Sequence, residues 1–345
     1  MIPVQRPPVL EVENLDIAFN TKSGTIHATR EVSFSVRQGE TLALVGETSS
    51  GKSVTCLGLL GLTPPPPYCQ IGGSAKMTTR DGTVHQLIGR PETDLRRLRG
   101  AAASVIFQEP MTSLNPVHTV GEQIAEPLRI HRGLSPRAAT ARALELLDLV
   151  RISDPRRRLD NYPHELSGGM RQRVMIAVAI ACEPALLIAD EPTTALDVTI
   201  QAQILELLSD LQRQTDMAMI FITHNLGIVA EIADRVMVMY AGRVVEQGDV
   251  VPIFTAPRMP YTRGLLDSLP RLEPGRPRRS LLRAIPGNVP DPTAHPPGCT
   301  FGPRCDHFRA GLCDSAIPPL EQTAPGHAAR CLRLDAIANA AGVSA

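Results

Sequence analysis

The stretch VGETSSGKSV, Val45 to Val54, carries the pattern G-x-x-x-x-G-K-S, with Gly46, Gly51, Lys52 and Ser53 at the fixed places. These residue types at this spacing suit a chain of phosphates. Glycines let the backbone close on an anion, and the unpaired N–H groups of a helix N-terminus point at it. A lysine adds positive charge at the β- and γ-oxygens, and the serine hydroxyl can ligate Mg²⁺. Glu47, Thr48, Ser49, Ser50 and Val54 complete the predicted loop with their backbone amides. The flanks agree: ETLALVG reads as a short buried strand and KSVTCLGLLGL as a helix, the setting this loop requires.

A second constellation lies far along the chain. In ALLIADEP an apolar strand ends in Asp190 and Glu191. Strand neighbours face opposite ways, but a turn at the strand's end can present both carboxylates to one site. Asp190 suits a Mg²⁺ shell, and Glu191 suits orienting and deprotonating an attacking water. In HELSGGMRQRVMIAVAIA, Ser167, Gly168 and Gly169 open a helix whose Val174, Val178 and Ala181 repeat at helical spacing. Serine at the N-cap followed by glycines is another anion-ready helix start. Asp197 is the natural N-cap of a further helix, with Ile200, Ile204, Leu207, Leu208 and Leu211 as its apolar stripe.

The elements that must position these groups can be read coarsely. Residues 1 to about 110 read as strands plus the loop; EVSFSV alternates Val32, Phe34 and Val36 with polar residues, a half-buried strand. About 110 to 165 reads as a helical insert, in which Ser135 caps and Pro136 opens SPRAATARALELLDLV. From 166 to about 250 strands and helices alternate again, ending in the hairpin RVMVMYAGRVVEQG. The prediction is an α/β fold: a mostly parallel sheet with helices on its faces and a helical subdomain. Pro64 to Pro67 and Pro286 to Pro303 read as loops, and the basic clusters RRLRG, PRRR and RPRR as solvated surface.

Composition narrows the function classes. With 35 basic and 35 acidic residues the formal charge is zero, so no nucleic-acid partner is expected. No apolar run approaches the roughly 18 residues of a membrane helix. The start, MIPVQRPPVLEVENL, lacks the basic and apolar regions of a signal peptide, so a cytoplasmic chain is expected, with thiols or metal ligands rather than disulfides.

Taken together these motifs resemble the ATPase subunits of ABC transporters. LSGGM (Leu166 to Met170) is similar to the family's signature, TALD (Thr194 to Asp197) to its D-loop, His224 after AMIFIT to its switch histidine, and Gln108 of VIFQEP to its Q-loop glutamine. The resemblance spans roughly Leu10 to Gly248, in the family's order. It implies a P-loop NTPase core with ATP and Mg²⁺, the metal held by Ser53, Gln108 and Asp190. It also implies a head-to-tail dimer. Lys52 and Glu191 act within one subunit, and Ser167, Gly168, Gly169 and Met170 close on the partner's nucleotide. His224 contacts the γ-phosphate. By the same pattern, Phe19 of LDIAFN is the aromatic that stacks on the adenine.

The wording QEPMTSLNPVHTVGEQIAEPL, LSGGMRQRVMIA and PYTRGLL further resembles the dipeptide/oligopeptide importer group, which includes nickel and glutathione importers. That implies ATP hydrolysis powering import through two membrane permease subunits, with an extracytoplasmic peptide-binding protein. The second ATPase is a related but different chain or a second copy of this one. The chain would sit peripherally on the cytoplasmic face of the membrane, and the segment after Gln108 would meet the permease. A soluble, non-transport ABC ATPase is the competing reading. The division expected is a nucleotide-binding domain over 1–265 and a Pro/Cys-rich extension over 266–345.

Four of the seven cysteines fall in that extension: Cys299, Cys305, Cys313 and Cys331, spaced C-x5-C-x7-C-x17-C. Four clustered cysteines in a reducing compartment suit a metal, and both Cys₄ zinc and a [4Fe–4S] cluster match the count. The resemblance implies the iron–sulfur cluster; zinc and free thiols stay open. A metal staple would help so Pro-rich a segment to fold. His295, His307 and His327 nearby read as surface or hydrogen-bonding residues. One departure stands in the loop: the group's usual G-E-S-G-S-G-K-S has become G-E-T-S-S-G-K-S, with Thr48 and Ser49 replacing Ser and Gly. If position 49 needs a positive φ, a serine there costs on the order of 1 kcal/mol.

Overall fold

The computed structural model describes residues 6–22, 24–194, 196–269 and 284–341. The RPRR cluster and the D-loop's Ala195 lie outside these. Among the described residues, twelve strands form two sheets. The first is antiparallel, in the order β2-β1-β4-β5, from β1 (Pro8–Thr21), β2 (Gly24–Arg37), β4 (Cys69–Thr78) and β5 (Val84–Gln86). The second has eight strands in the order β11-β12-β10-β9-β3-β8-β7-β6. They are β3 (Thr41–Val45), β6 (Ala103–Ile106), β7 (Leu186–Asp190), β8 (Ala218–Thr223), β9 (Arg235–Tyr240), β10 (Arg243–Asp249), β11 (Glu321–Ala324) and β12 (His327–Ala329).

Strands β9, β3, β8, β7 and β6 pair in parallel. Their sequences explain it: every residue of TLALV, LLIAD and AMIFIT is buried, as expected of strands covered on both faces. β9 and β10 form the expected hairpin, turned at Ala241 (φ 46) and Gly242 (φ 79), both left-handed as a two-residue hairpin demands. The separate antiparallel sheet was not distinguished in the sequence; its Val32, Phe34 and Val36 point inward as predicted.

The insert is helical as expected, with Val120–Arg132 and Pro136–Leu149 as its main helices. Ser135 accepts from the Ala138 amide and caps the second. Leu128, Ala143, Leu147, Val174 and Phe221 share one core with it. Among the described residues, the extension's Phe301, Ile285 and Val289 pack into a cluster with Val45, Val238 and Tyr240 of the main sheet. The extension's β12 pairs with β10, joining Ala328 and Ala329 to Gln247 and Glu246, so the core sheet grows an edge from the C-terminal segment. Phe301 packs edge-on to Tyr240 at 5.3 Å and against Tyr261 at 5.4 Å. Buried His327 bonds Glu246 at 2.7 Å, the hydrogen-bonding alternative of the sequence reading. Among the described residues no helix is long and apolar enough to cross a membrane.

Candidate functional site

The site lies at the carboxyl ends of four adjacent parallel strands, where open α/β sheets bind ligands. β3 ends at Val45 and leads into the loop; β6, β7 and β8 deliver Gln108, Glu191 and His224. The loop's glycines pack closely against neighbouring backbone. At Gly46 (φ 150) a Cβ would lie 2.2 Å from the Met239 carbonyl oxygen, and at Gly51 (φ 100) 2.5 Å from that of Ala28. Gly51 caps the helix Lys52–Leu59. Ser49 does stand at a positive φ, 65°, so the departure costs the anticipated strain. Ser49→Gly is therefore expected to tighten ATP binding about five-fold, the equivalent of roughly 1 kcal/mol, read by titration with a fluorescent ATP analogue. An unchanged or weaker affinity would show that the serine's hydroxyl, not its strain, matters.

Lys52 is buried. Its ammonium donates to the carbonyls of Gly46 (2.8 Å) and Glu47 (2.9 Å) and to Ser50 Oγ (3.3 Å). Burial pulls its pKa down, against the attraction of Glu191, Asp190 and Glu47. Asp190 is buried too, and burial raises its pKa against the Ser53 hydroxyl that bonds to it. Its Oδ1 has no protein partner. An orphaned carboxylate oxygen beside a serine hydroxyl suits a divalent cation that takes its remaining ligands from phosphates and water.

Glu191 takes a left-handed φ of 45°, which turns its side chain out of the alternation of β7 and into the site. Three donors converge on it. Gln108 Nε2 and Thr194 Oγ1 each lie 2.9 Å from Oε2, and His224 Nδ1 lies 2.9 Å from Oε1. Burial pushes its pKa up, but the bonds from His224 and Thr194 and the charge of Lys52 outweigh that and hold it below the usual carboxylate range. The predicted base, switch histidine and Q-loop glutamine thus form one hydrogen-bonded group.

The signature opens a helix of its own. Ser167 Oγ accepts from the Met170 amide at 3.4 Å, the predicted cap of the helix Gly168–Ile180. A Cβ on Gly169 would lie 2.9 Å from Ile200, so glycine is needed for close packing on the helix Val198–Thr215. Asp197 caps that helix through the Ile200 amide at 3.0 Å. Phe19 is half-buried, opposite Ile26 and Cys69 in its sheet, and packs on the core between the sheets. The cavity of about 640 Å³ beside the phosphate loop is lined instead by His27, Ser49, Gly51, Val54, Gly242 and His295, among others. Both ring nitrogens of His295 are buried without a partner there, and neither it nor His27 had a motif to mark it.

The four extension cysteines line one small apolar cavity with Phe301, His307 and Phe308. Backbone amides point at all four sulfurs. Arg309 N lies 3.4 Å from Cys313 and Arg333 N 3.3 Å from Cys331; Cys299 receives Phe301 and Gly302, and Cys305 receives His307. Burial outweighs these and holds the Cys305 thiol up at about 11. Among the described residues no three His, Cys, Asp or Glu are close enough to hold one metal ion. That is a correction to the zinc alternative, since tetrahedral Zn–S bonds of about 2.3 Å require sulfurs closely grouped.

Comparison with known proteins gives the family. Residues 29–194 match the family described as ABC transporter, and residues 245–313 the one described as oligopeptide/dipeptide transporter, C-terminal region. The chain is similar to a putative peptide import ATP-binding protein of Brucella abortus, 52% identical over 338 residues, covering 97% of this chain and 100% of that one. It is similar to a probable peptide ABC transporter ATP-binding protein of Sinorhizobium fredii, 50% identical, with 96% of each chain covered. Among solved structures, it resembles a dimeric ATP-binding cassette in a post-hydrolysis state with ADP and phosphate (TM-score 0.61, 26% identity, 70% of this chain and 98% of that). It also resembles CbiO1 of Clostridium perfringens, part of an ABC transporter complex (TM-score 0.57, 27% identity, 72% and 91%). A phosphate loop, a three-donor carboxylate and a signature helix on this fold, matched along nearly the whole chain, make it a member of the ATP-binding subunits of ABC transporters, in the oligopeptide/dipeptide family.

Proposed function

We propose that the protein hydrolyses ATP to drive peptide import through a membrane permease, as a peripheral subunit on its cytoplasmic face. The observation that carries the reading is the convergence of Gln108, Thr194 and His224 on Glu191, two strands away from the loop of Lys52. Lys52 exchanges its loop carbonyls for the β- and γ-phosphate oxygens. Ser53 and Asp190, with Gln108, would hold Mg²⁺, which neutralises charge on those oxygens. Glu191 accepts a proton from water as the water oxygen bonds to the γ-phosphorus and the bond to the β-phosphate oxygen breaks, releasing ADP. His224 faces the γ-phosphate and holds Glu191 ionised. Ser167 to Met170 serve the partner's nucleotide in a head-to-tail dimer, formed with a related chain or a second copy. Phe19 or the cavity of His27 and His295 receives the base. The remaining partners are two permease subunits, met by the segment after Gln108, and an extracytoplasmic peptide-binding protein.

Residues 1–265 carry the ATPase and 266–345 the extension. The cysteines would hold a [4Fe–4S] cluster, which spaces its four thiolates more widely than a single ion does; the amides aimed at the sulfurs would offset part of the burial that otherwise keeps them thiols. Its contribution would be to fold the tail. Anaerobically purified protein is expected to contain iron and acid-labile sulfide, and Cys305→Ser to lose both; metal-free wild type would leave plain thiols. The transport reading is tested by uptake of labelled di- and oligopeptides in cells carrying Glu191→Gln. Loss of uptake supports peptides as cargo; unchanged peptide uptake with lost nickel or glutathione uptake would replace the cargo and keep the ATPase.

A further inference from the structure

Arg304 stands inside the extension's first cysteine pair, yet its side chain leaves that cavity and reaches the phosphate loop. It is only 5% exposed. One guanidinium nitrogen lies between the two carboxylate oxygens of Glu47, at 3.1 and 3.0 Å, and 3.3 Å from the Tyr240 hydroxyl. Nε donates to the Pro286 carbonyl at 2.8 Å, and the guanidinium lies over the rings of Tyr240 and Phe301. Glu47 is held a second time: its amide donates to the Tyr261 hydroxyl at 2.9 Å. Tyr261 packs on Tyr240 with centroids 4.6 Å apart.

Glu47 is a member of the phosphate loop, and its own carbonyl is one of the three acceptors of Lys52. The loop also carries the left-handed Ser49 two residues on. A strained residue of this kind persists only where the surroundings over-determine it. The surroundings here are supplied by residues 257 and 214 positions away, Arg304 and Tyr261. A buried arginine that loses its carboxylate leaves an uncompensated charge, so this contact resists casual breakage.

We propose that Arg304 is a positioning residue for ATP binding: through Glu47 it holds the phosphate loop in its anion-binding form, so that the loop's affinity for ATP depends on the extension being docked. Arg304 touches no reacting atom; it acts through Glu47. The inference rests on the assignment of the phosphate loop.

The test uses the full chain, with KM and kcat for ATP, direct titration with a fluorescent ATP analogue, and thermal melting. Arg304→Met is expected to raise KM and Kd at least five-fold while kcat at saturating ATP stays within two-fold. Arg304→Lys should recover part of the loss. Glu47→Gln should raise Kd similarly, and the double variant should be no worse than the worse single one. Adding Ser49→Gly to Arg304→Met should restore affinity by removing the strain. A lower melting temperature with unchanged KM and Kd would overturn the proposal and leave Arg304 a fastener of the tail. If Arg304→Met does not fold, Glu47→Gln decides: unchanged Kd sinks the link. Lys52→Ala separates the two levels. If it keeps full ATP affinity, the phosphate-loop assignment itself fails; if it loses ATP while both Arg304→Met and Glu47→Gln bind normally, only the positioning role fails.

Discussion

Glu191→Gln is expected to lower kcat for ATP by about 10²–10⁴-fold, the usual worth of a positioned general base, with ATP affinity within a few-fold of wild type. The substitution keeps the side chain's size but removes its ability to take a proton. It also disturbs the local pattern. Gln108, Thr194 and His224 all address the Glu191 carboxylate. An amide at 191 presents one acceptor and one donor, so one of these partners meets an N–H group instead of an oxygen. Binding survives because the loop amides and Lys52 are untouched. Single-turnover hydrolysis beside analogue titration separates the effects. Hydrolysis within three-fold of wild type would remove Glu191 from the role of base and put proton transfer on solvent or on the phosphate itself.

Lys52→Ala is expected to act a step earlier and abolish productive binding, lowering ATP affinity on the order of 10–100-fold, as loss of a charge-assisted hydrogen bond implies. Turnover falls with it, since the variant also lacks the charge that stabilises the developing phosphate. The buried ammonium has a second task, tying together Gly46, Glu47 and Ser50. Removing it therefore loosens the loop as well as discharging it, and a modest drop in melting temperature is expected. Lys52→Arg keeps the charge but brings a bulkier, planar fork to the point where the ammonium meets Gly46, Glu47 and Ser50, so it should not restore affinity. Glu191→Gln binds without hydrolysing, whereas Lys52→Ala does neither; the contrast distinguishes chemistry from binding.

Much of this was legible along the chain because the groups that bind phosphate are local. The amides of the loop come from consecutive residues, and the strand and helix around it announce themselves by apolar runs and glycine positions. The caps at Ser135, Ser167 and Asp197 were readable for the same reason: a cap bonds an amide three residues on. Phe19 shows the limit. Its spacing from Lys52 proposes it as a base platform, but its neighbours across the antiparallel sheet, Ile26 and Cys69, could not be read along the chain. Register depends on strands far apart in sequence, and no local pattern records it.

By itself the sequence determined the phosphate loop, the strand-end carboxylates, the alternating α/β core and the four-cysteine tail. Each is a short-range arrangement, fixed by neighbouring residues and by the period of burial. Only the tertiary structure decided what these parts do to one another. Parallel pairing of β3, β8, β7 and β6 brought Lys52, His224, Glu191 and Gln108 to one edge. The left-handed turn at Glu191 aimed its carboxylate at two distant donors, Gln108 and His224. Docking of the tail on β10 carried Arg304 to Glu47. Such contacts join residues tens to hundreds of positions apart, and they exist only where the whole core has packed and excluded water around them.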